Sequence, residues 1–298
     1  MTSSAVARSA DLIEEVTGAR AASAKTVDRT TERVGRAART MIEEDAAAAV
    51  AAGPAAHRRH WDNNTTACVF IDGTGVPMVP AETAGKAGKQ PDGTAKTREV
   101  KIGRLATQTG YDNHGRPVLD KNSTSYVATF DAVAGFTADI AAEALRRDFA
   151  RAPRLCVIAD GATWIWRLAD RLWPDAIQIV DYYHATEHVH DLVALLKPHL
   201  GPGSDPTQLT TELKDHLHAG RIQALADQAR AIPVADPATQ QQIATAVAYF
   251  TKNWHRMQYA KFRRDQLFIG SGAAETGCPL LSPCRVLRGS AGSGPAVG

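Results

Sequence analysis

Two short apolar runs, each closed by the dipeptide Asp-Gly, constrain this chain more than anything else in it. Ala67-Cys68-Val69-Phe70-Ile71 ends in Asp72-Gly73, with Thr74-Gly75 following, and Leu155-Cys156-Val157-Ile158-Ala159 ends in Asp160-Gly161. Apolar runs this short, bounded by turn residues, predict buried strands whose carboxyl-terminal ends hold a carboxylate beside a glycine, where other groups approach closely. Asp-Gly is also a frequent turn dipeptide, and either one taken singly reads first as a turn. The pair reads differently. Mg²⁺ takes hard oxygen ligands and keeps positions for water or phosphate, so two Asp with a third acid is a common arrangement for phosphoryl chemistry.

The order of the remaining elements predicts an α/β sheet. After Asp72 comes a polar Gly/Lys/Thr-rich loop from Glu82 to Thr97, then an extended segment from Arg98 to Gln108. A turn at Asp112-Asn113-His114-Gly115 leads to a strand near Ser125 to Phe130. A helix from Ala132 to Ala150 leads into the second Asp-bearing strand, a helix from Gly161 to Leu172 follows, and a strand from Ala176 to Val180 ends in a further acid, Asp181. Strands, helix, strand, helix, strand imply a sheet of mixed direction, and right-handed crossovers put Asp160 and Asp181 at the edge where open α/β sheets keep their functional groups.

Two helical regions flank this core. Residues 1–56 are Ala-rich with charges at helical spacing; Ser9 to Val16, Gly18, and then Ser23 or Thr26 as the cap of a helix through Met41 give the outline of a helix-turn-helix. Arg29, Arg33, Arg36 and Arg39 share one face of that second helix, either to meet phosphates or as a solvated surface. Ala51-Ala52-Gly53-Pro54 reads as a linker. Residues 182–265 are helical again, broken at Pro198 to Gly203 and at Pro233, and are too long for a loop. From Cys278 to Gly298 the chain is rich in Gly, Ser and Pro without a periodic pattern, and disorder is expected there.

Composition narrows the classes. With 298 residues, 44% of them apolar, the chain suits one large domain or two smaller ones. No apolar stretch of about 18 residues and no basic-then-apolar leader is present, so neither a span nor a secretory signal is indicated and a cytoplasmic protein is expected. Cys68, Cys156, Cys278 and Cys284 lack paired metal-ligand spacing, so neither structural zinc nor disulfides are expected. A net charge of +2 gives no global argument for nucleic acid, so any such footprint is local.

Three local groups carry chemistry. Glu275, in Ile269-Gly270-Ser271-Gly272-Ala273-Ala274-Glu275, is the candidate third acid; Ser271 is placed to cap a helix presenting it, and an ordinary first-turn Glu is the competing reading. From Thr251 to Arg264 the chain holds Lys252, Arg256, Lys261, Arg263 and Arg264 without an acid, interleaved with Trp254, Tyr259 and Phe262. Such a segment suits a nucleic-acid strand or a partly buried helix with snorkelling bases. His184, Glu187 and His188 fall on one helix face, but HExxH order is absent, so a packed or supporting role beside the carboxylates is favoured over zinc ligation. Tyr182 and Tyr183 read as packing residues.

Together these motifs resemble the ISKra-type family of insertion-sequence transposases, which have a DDE triad on a ribonuclease H-like core. The resemblance runs through Phe70-Ile71-Asp72-Gly73-Thr74-Gly75-Val76-Pro77, Gly88 to Gly93, Arg98 to Lys101, Asp160-Gly161-Ala162-Thr163-Trp164-Ile165-Trp166, Ile179-Val180-Asp181-Tyr182-Tyr183-His184, and Arg256-Met257 to Glu275. It implies a helical region at 1–56, a ribonuclease H-like core at 62–181 with flanking helices, a helical insertion at 182–265, and the end of the core at 266–277. Asp72, Asp160 and Glu275 would bind Mg²⁺, which Mn²⁺ can replace, with Asp181 and His184 behind them. Arg256, Lys261, Arg263 and Arg264 would contact DNA, on which a homo-oligomer would assemble. The family's chains continue past the Glu with a basic helix, so the resemblance also implies truncation at both ends and a frameshifted tail at 278–298. The implied activity is DNA strand cleavage and transfer, or, in a truncated copy, DNA binding without catalysis.

Overall fold

The structure, a computed structural model, describes residues 23–78, 83–85 and 95–271. The first helix of the expected helix-turn-helix, most of the Gly/Lys loop, Glu275 and the tail from Cys278 lie outside the described residues. The described residues form two compact units: those within 1–59, 73–101 and 129–148 make the first, and those within 60–72, 102–128 and 149–271 the second.

In the first unit the main helix is α1, Ala24–Ala52, capped by Ser23, whose side chain accepts from the Thr26 amide at 3.2 Å. It runs past Met41, where the sequence reading ends it, because alanine, the strongest helix former, fills residues 46–52 apart from Val50. The chain leaves it at Gly53, whose φ of 72° needs a residue without Cβ, and Pro54 follows. What reads as a linker is therefore partly the last turn of α1. Arg39, the fourth member of the arginine stripe, is tied to its own unit. Its guanidinium donates to Asp139 at 2.8 Å, Asp131 at 3.1 Å and Glu43 at 2.7 Å, docking α1 on α2, Val133–Arg146. Arg36 pairs with Glu32 at 3.7 Å, whereas Arg29 and Arg33 are exposed.

The sheet has five strands in the order β5-β2-β1-β6-β7 and mixed direction. They are β1 Thr66–Pro77, β2 Thr97–Gln108, β5 Ser125–Thr129, β6 Arg154–Ala159 and β7 Ile177–Val180; a two-residue pair, β3 Gly110–Tyr111 and β4 Pro117–Val118, forms a separate hairpin. β6 lies parallel to both β1 and β7. β1 does not stop at Asp72 as its Asp-Gly ending suggests. It parts from β6 after Ile71 and continues along β2, where a Cβ at Gly73 would meet Glu99 and one at Gly75 would meet Thr97. Those two cross-strand neighbours run in opposite sequence directions, so β1 and β2 are antiparallel there.

In the second unit, the sheet interior is made by Ala67, Val69, Val157, Ile179 and Val180, none of them measurably exposed. Cys68 and Cys156 are free, buried, and partners in the β1/β6 register. Burial pushes both thiols up, Cys156 to about 12, so they behave as small apolar side chains. α3, Thr163–Leu172, turns Ile165, Trp166, Leu168 and Ala169 inward. Beyond β7 come α4 Tyr182–Leu196, α5 Pro206–His218, α6 Ile222–Arg230, α7 Pro237–Lys252 and α8 Tyr259–Arg264. Asp181, Asp205 and Asp236 cap α4, α5 and α7, and Pro at the first position of α5 and α7 presets the backbone. α4 packs on α5 and α7, and α6 packs on both of those, so residues 182–252 form a helical cluster with its own core of Leu192, Leu213, Leu225 and Phe250.

Candidate carboxylate site

Strand register brings three acids into one row. The last β1/β6 pair is Ile71 with Ala159, and the last β6/β7 pair is Ala159 with Val180. Asp72, Asp160 and Asp181 are therefore the next residues on three neighbouring parallel strands. Strands stand about 4.8 Å apart, which sets the scale of the row. At Asp160 and Asp181 it lies where β6 and β7 end and the following helices begin, the usual place for functional groups in open α/β sheets, while Asp72 sits within β1, which runs on to Pro77.

The three carboxylates differ. Asp72 is exposed and Asp160 half-buried. Asp160 accepts the Ala162 amide on Oδ1 at 2.9 Å, and its Oδ2 has no hydrogen-bond partner among the described residues. Asp181 is buried and fully engaged. Oδ1 accepts the amides of Tyr183 at 2.8 Å and His184 at 3.3 Å, capping α4; Oδ2 accepts both the amide and the hydroxyl of Ser271 at 2.7 Å. The Tyr182 amide donates to Ile269 O at 2.8 Å, so residues 269–271 are stitched to the start of α4.

Behind Asp160 stands a layer of rings. Tyr249, on α7, donates its hydroxyl to the Asp160 carbonyl at 3.2 Å and lies 3.0 Å from where a Cβ on Gly161 would be. Burial, and then the charges of Asp160 and Asp181, raise the Tyr249 phenol, keeping it a neutral donor. Its ring rests on His188, with centroids 3.8 Å apart. His188 Nε2 is 3.2 Å from His184 Nε2, and His184 Nδ1 is 3.4 Å from Glu187. The helix face read from sequence does assemble, and through the His184 amide and Tyr249 it adjoins Asp181 and Asp160. A cleft of about 420 Å³ opens beside it, lined by His188, Gln241, Thr245 and Tyr249.

As a donor set for a divalent ion, Asp72 and Asp160 are hard oxygen ligands of the right type, and Asp160 keeps one oxygen uncommitted; Asp181 has both oxygens occupied. No group of three or more His, Cys, Asp or Glu suited to a metal exists among the described residues, and Glu275 lies outside them.

The basic segment divides in two. Arg256 is half-buried, stacked on Trp166 at 4.6 Å, and donates to Gln178 at 2.6 Å and Asn253 at 3.2 Å. Arg263 donates to the His218 carbonyl at 2.8 Å, while its Nη1 is buried without a partner among the described residues. Tyr259 and Phe262 are core residues, the Tyr259 hydroxyl donating to Val180 O at 2.9 Å. Lys252, Trp254, Lys261 and Arg264 are exposed. Of the tyrosines read as packing residues, Tyr182 stacks edge-on with Tyr259 while Tyr183 is 51% exposed.

Tyr249 and the Ser271 contact carry no local sequence signal. Asp181 as a helix cap is legible, because Asp precedes a helical pattern, but nothing local marks a residue 90 positions away as its partner.

No family profile and no curated protein matches the chain. No helix among the described residues is long and apolar enough to cross a membrane.

Proposed function

We propose that this chain is a DDE-type transposase that cleaves and joins DNA strands with Mg²⁺, on a ribonuclease H-like core. One observation carries the reading: the β1/β6 register makes Asp72 and Asp160 neighbours on two adjacent inner strands of a mixed sheet, each the residue after the last pair. Adjacent strands in step let two acids far apart in sequence share an ion, and these strands are adjacent and in step. The bound ion would activate the attacking oxygen and stabilise the leaving oxygen of an in-line displacement.

The chain's own residues supply position. Asp72 and Asp160 would hold the ion, with Glu275 as the third acid. Gly161, at φ 99°, turns the chain out of β6, and Tyr249 fixes the carbonyl of Asp160. Lys252, Lys261 and Arg264, with Trp254, are exposed members of the segment that would meet DNA, since phosphates pair with cations and unpaired bases stack on aromatic rings. Arg256 and Arg263, half-buried in the same segment, are held by Trp166, Gln178 and Asn253 and by His218.

Cleavage of a duplex bearing the element's ends tests the reading, run with Mg²⁺, with Mn²⁺ and with a chelator. Metal-dependent cleavage that disappears in Asp72→Asn and Asp160→Asn, with DNA binding retained, is the expected result. Full cleavage by either variant removes the acid from the site. Binding without cleavage by the unaltered chain would favour a DNA-binding protein that has lost catalysis.

A further inference from the structure

His184, Glu187 and His188, one face of α4, take no part in the proposed phosphoryl chemistry. Their two imidazoles point at each other, His188 Nε2 lying 3.2 Å from His184 Nε2. Two lone pairs repel at that distance, so the gap holds either a shared proton or a cation. Glu187 sets the tautomer of His184. Its carboxylate is 3.4 Å from His184 Nδ1, which keeps the proton on that nitrogen and leaves the Nε2 lone pair free, as in metal-bound histidines backed by a carboxylate. The histidines have the i, i+4 spacing of an HExxH helix, but the Glu follows the first His by three residues instead of one. It therefore backs a ring nitrogen rather than facing a bound water.

We propose that His184 and His188 form a binding site for a transition-metal ion of the Zn²⁺ class, with Glu187 orienting His184. Zn–N bonds are about 2.0–2.1 Å long, and two such bonds to nitrogens 3.2 Å apart meet at about 100°, close to the tetrahedral angle. The ion takes the place of the proton between the rings. That proton passes through solvent to His188 Nδ1, so both imidazoles stay neutral. The rings are held in advance: His188 rests on Tyr249 with centroids 3.8 Å apart, and the Tyr249 hydroxyl is bonded to the Asp160 carbonyl at 3.2 Å. The cleft of about 420 Å³ lined by His188 and Tyr249 gives the ion an entry and leaves room for water at its other positions. Imidazole suits Zn²⁺, whereas Mg²⁺ takes oxygen ligands. The pair is thus a different site from the Asp72 and Asp160 row and does not depend on how that row is read. With two protein ligands instead of three or four, it binds more weakly than a structural zinc centre.

Zn²⁺ binding to the full chain tests the site, measured by competition with a chromophoric chelator in excess Mg²⁺, alongside the rise in melting temperature that Zn²⁺ produces. The parent should bind in the micromolar range. His184→Gln and His188→Gln should each weaken Zn²⁺ by more than about tenfold and remove the rise in melting. Glu187, whose side chain is 65% exposed, allows a test with little change to the fold. Glu187→Gln should weaken Zn²⁺ by about tenfold, the low end for an outer partner of a metal ligand. Asp160→Asn should leave Zn²⁺ affinity as it is. Parent affinity in either histidine variant, or no binding by the parent, overturns the site and makes the 3.2 Å contact a hydrogen bond alone. A loss in Asp160→Asn as large as in the histidine variants would put the ion on the carboxylate row and would overturn the pair as its holder.

Discussion

The Tyr249 hydroxyl donates to the main-chain oxygen of Asp160 at 3.2 Å. It ties α7 of the helical cluster to the turn that carries a candidate metal ligand. Since burial and the carboxylates of Asp160 and Asp181 keep the phenol neutral, this donor is present across the working pH range. Tyr249→Phe removes the bond and leaves the His188 stack in place. The expected outcome is a loss of about 1 kcal/mol in urea unfolding and, under the proposed function, slower cleavage at unchanged DNA affinity. A variant as stable and as active as the parent would make the contact incidental.

Gly161 is the turn that Tyr249 covers. Its φ of 99° is open to glycine and strained for any other residue, and a methyl there would come within 3.0 Å of the Tyr249 ring and hydroxyl. Gly161→Ala combines both penalties and should lower stability by about 1–3 kcal/mol. The double variant with Tyr249→Phe separates them. Relief of the hydroxyl clash would show as a double loss smaller than the sum of the singles.

Much of this arrangement is legible in the sequence, for a physical reason. Ala67 to Ile71 and Leu155 to Ala159 are apolar throughout because parallel strands are buried on both faces, and the acids at their ends break that pattern. The continuation of β1 through Gly73-Thr74-Gly75 is not legible. Those residues have weak strand preference, and pairing with β2 holds them, so tertiary context overrides local propensity. Equally hidden is the fate of the charges. Arg29, Arg33, Arg36 and Arg39 look equivalent at helical spacing, yet Arg39 alone meets Asp131 and Asp139; Arg256 and Arg264 look equivalent, yet Arg256 faces Trp166. Which cation is structural depends on what the fold brings opposite it.

That division of the basic segment gives opposite results for two variants. Arg256→Ala removes a ring stack and hydrogen bonds to Gln178 and Asn253, so it should cost about 2–3 kcal/mol of stability. The salt dependence of DNA binding should not change. Lys261→Ala with Arg264→Ala should leave melting unchanged and reduce the slope of log K against log salt by about 2. Equal slopes in the double variant and the parent would remove Lys261 and Arg264 from the proposed DNA contact.

His188 should make stability depend on pH. Burial lowers its pKa from the ordinary 6.5, and His184 pushes the same way, against weaker upward pulls from Asp191, Glu187 and Asp160. The unfolded chain therefore takes up this proton at a higher pH than the folded chain. Between the two values the unfolded state binds more protons, so stability rises with pH. It is complete above about pH 6.5 and is lost as pH falls toward and through the folded value. His218 and His255 are lowered in the same direction by burial and then by Arg263 and Arg256, so the contribution of His188 is read as a difference. His188→Gln should flatten the profile of urea-unfolding stability below about pH 6.5 relative to the parent. Parallel profiles for the two chains would assign the whole slope to the other histidines and would mean that the His184 and Tyr249 contacts do not bury His188 enough to matter.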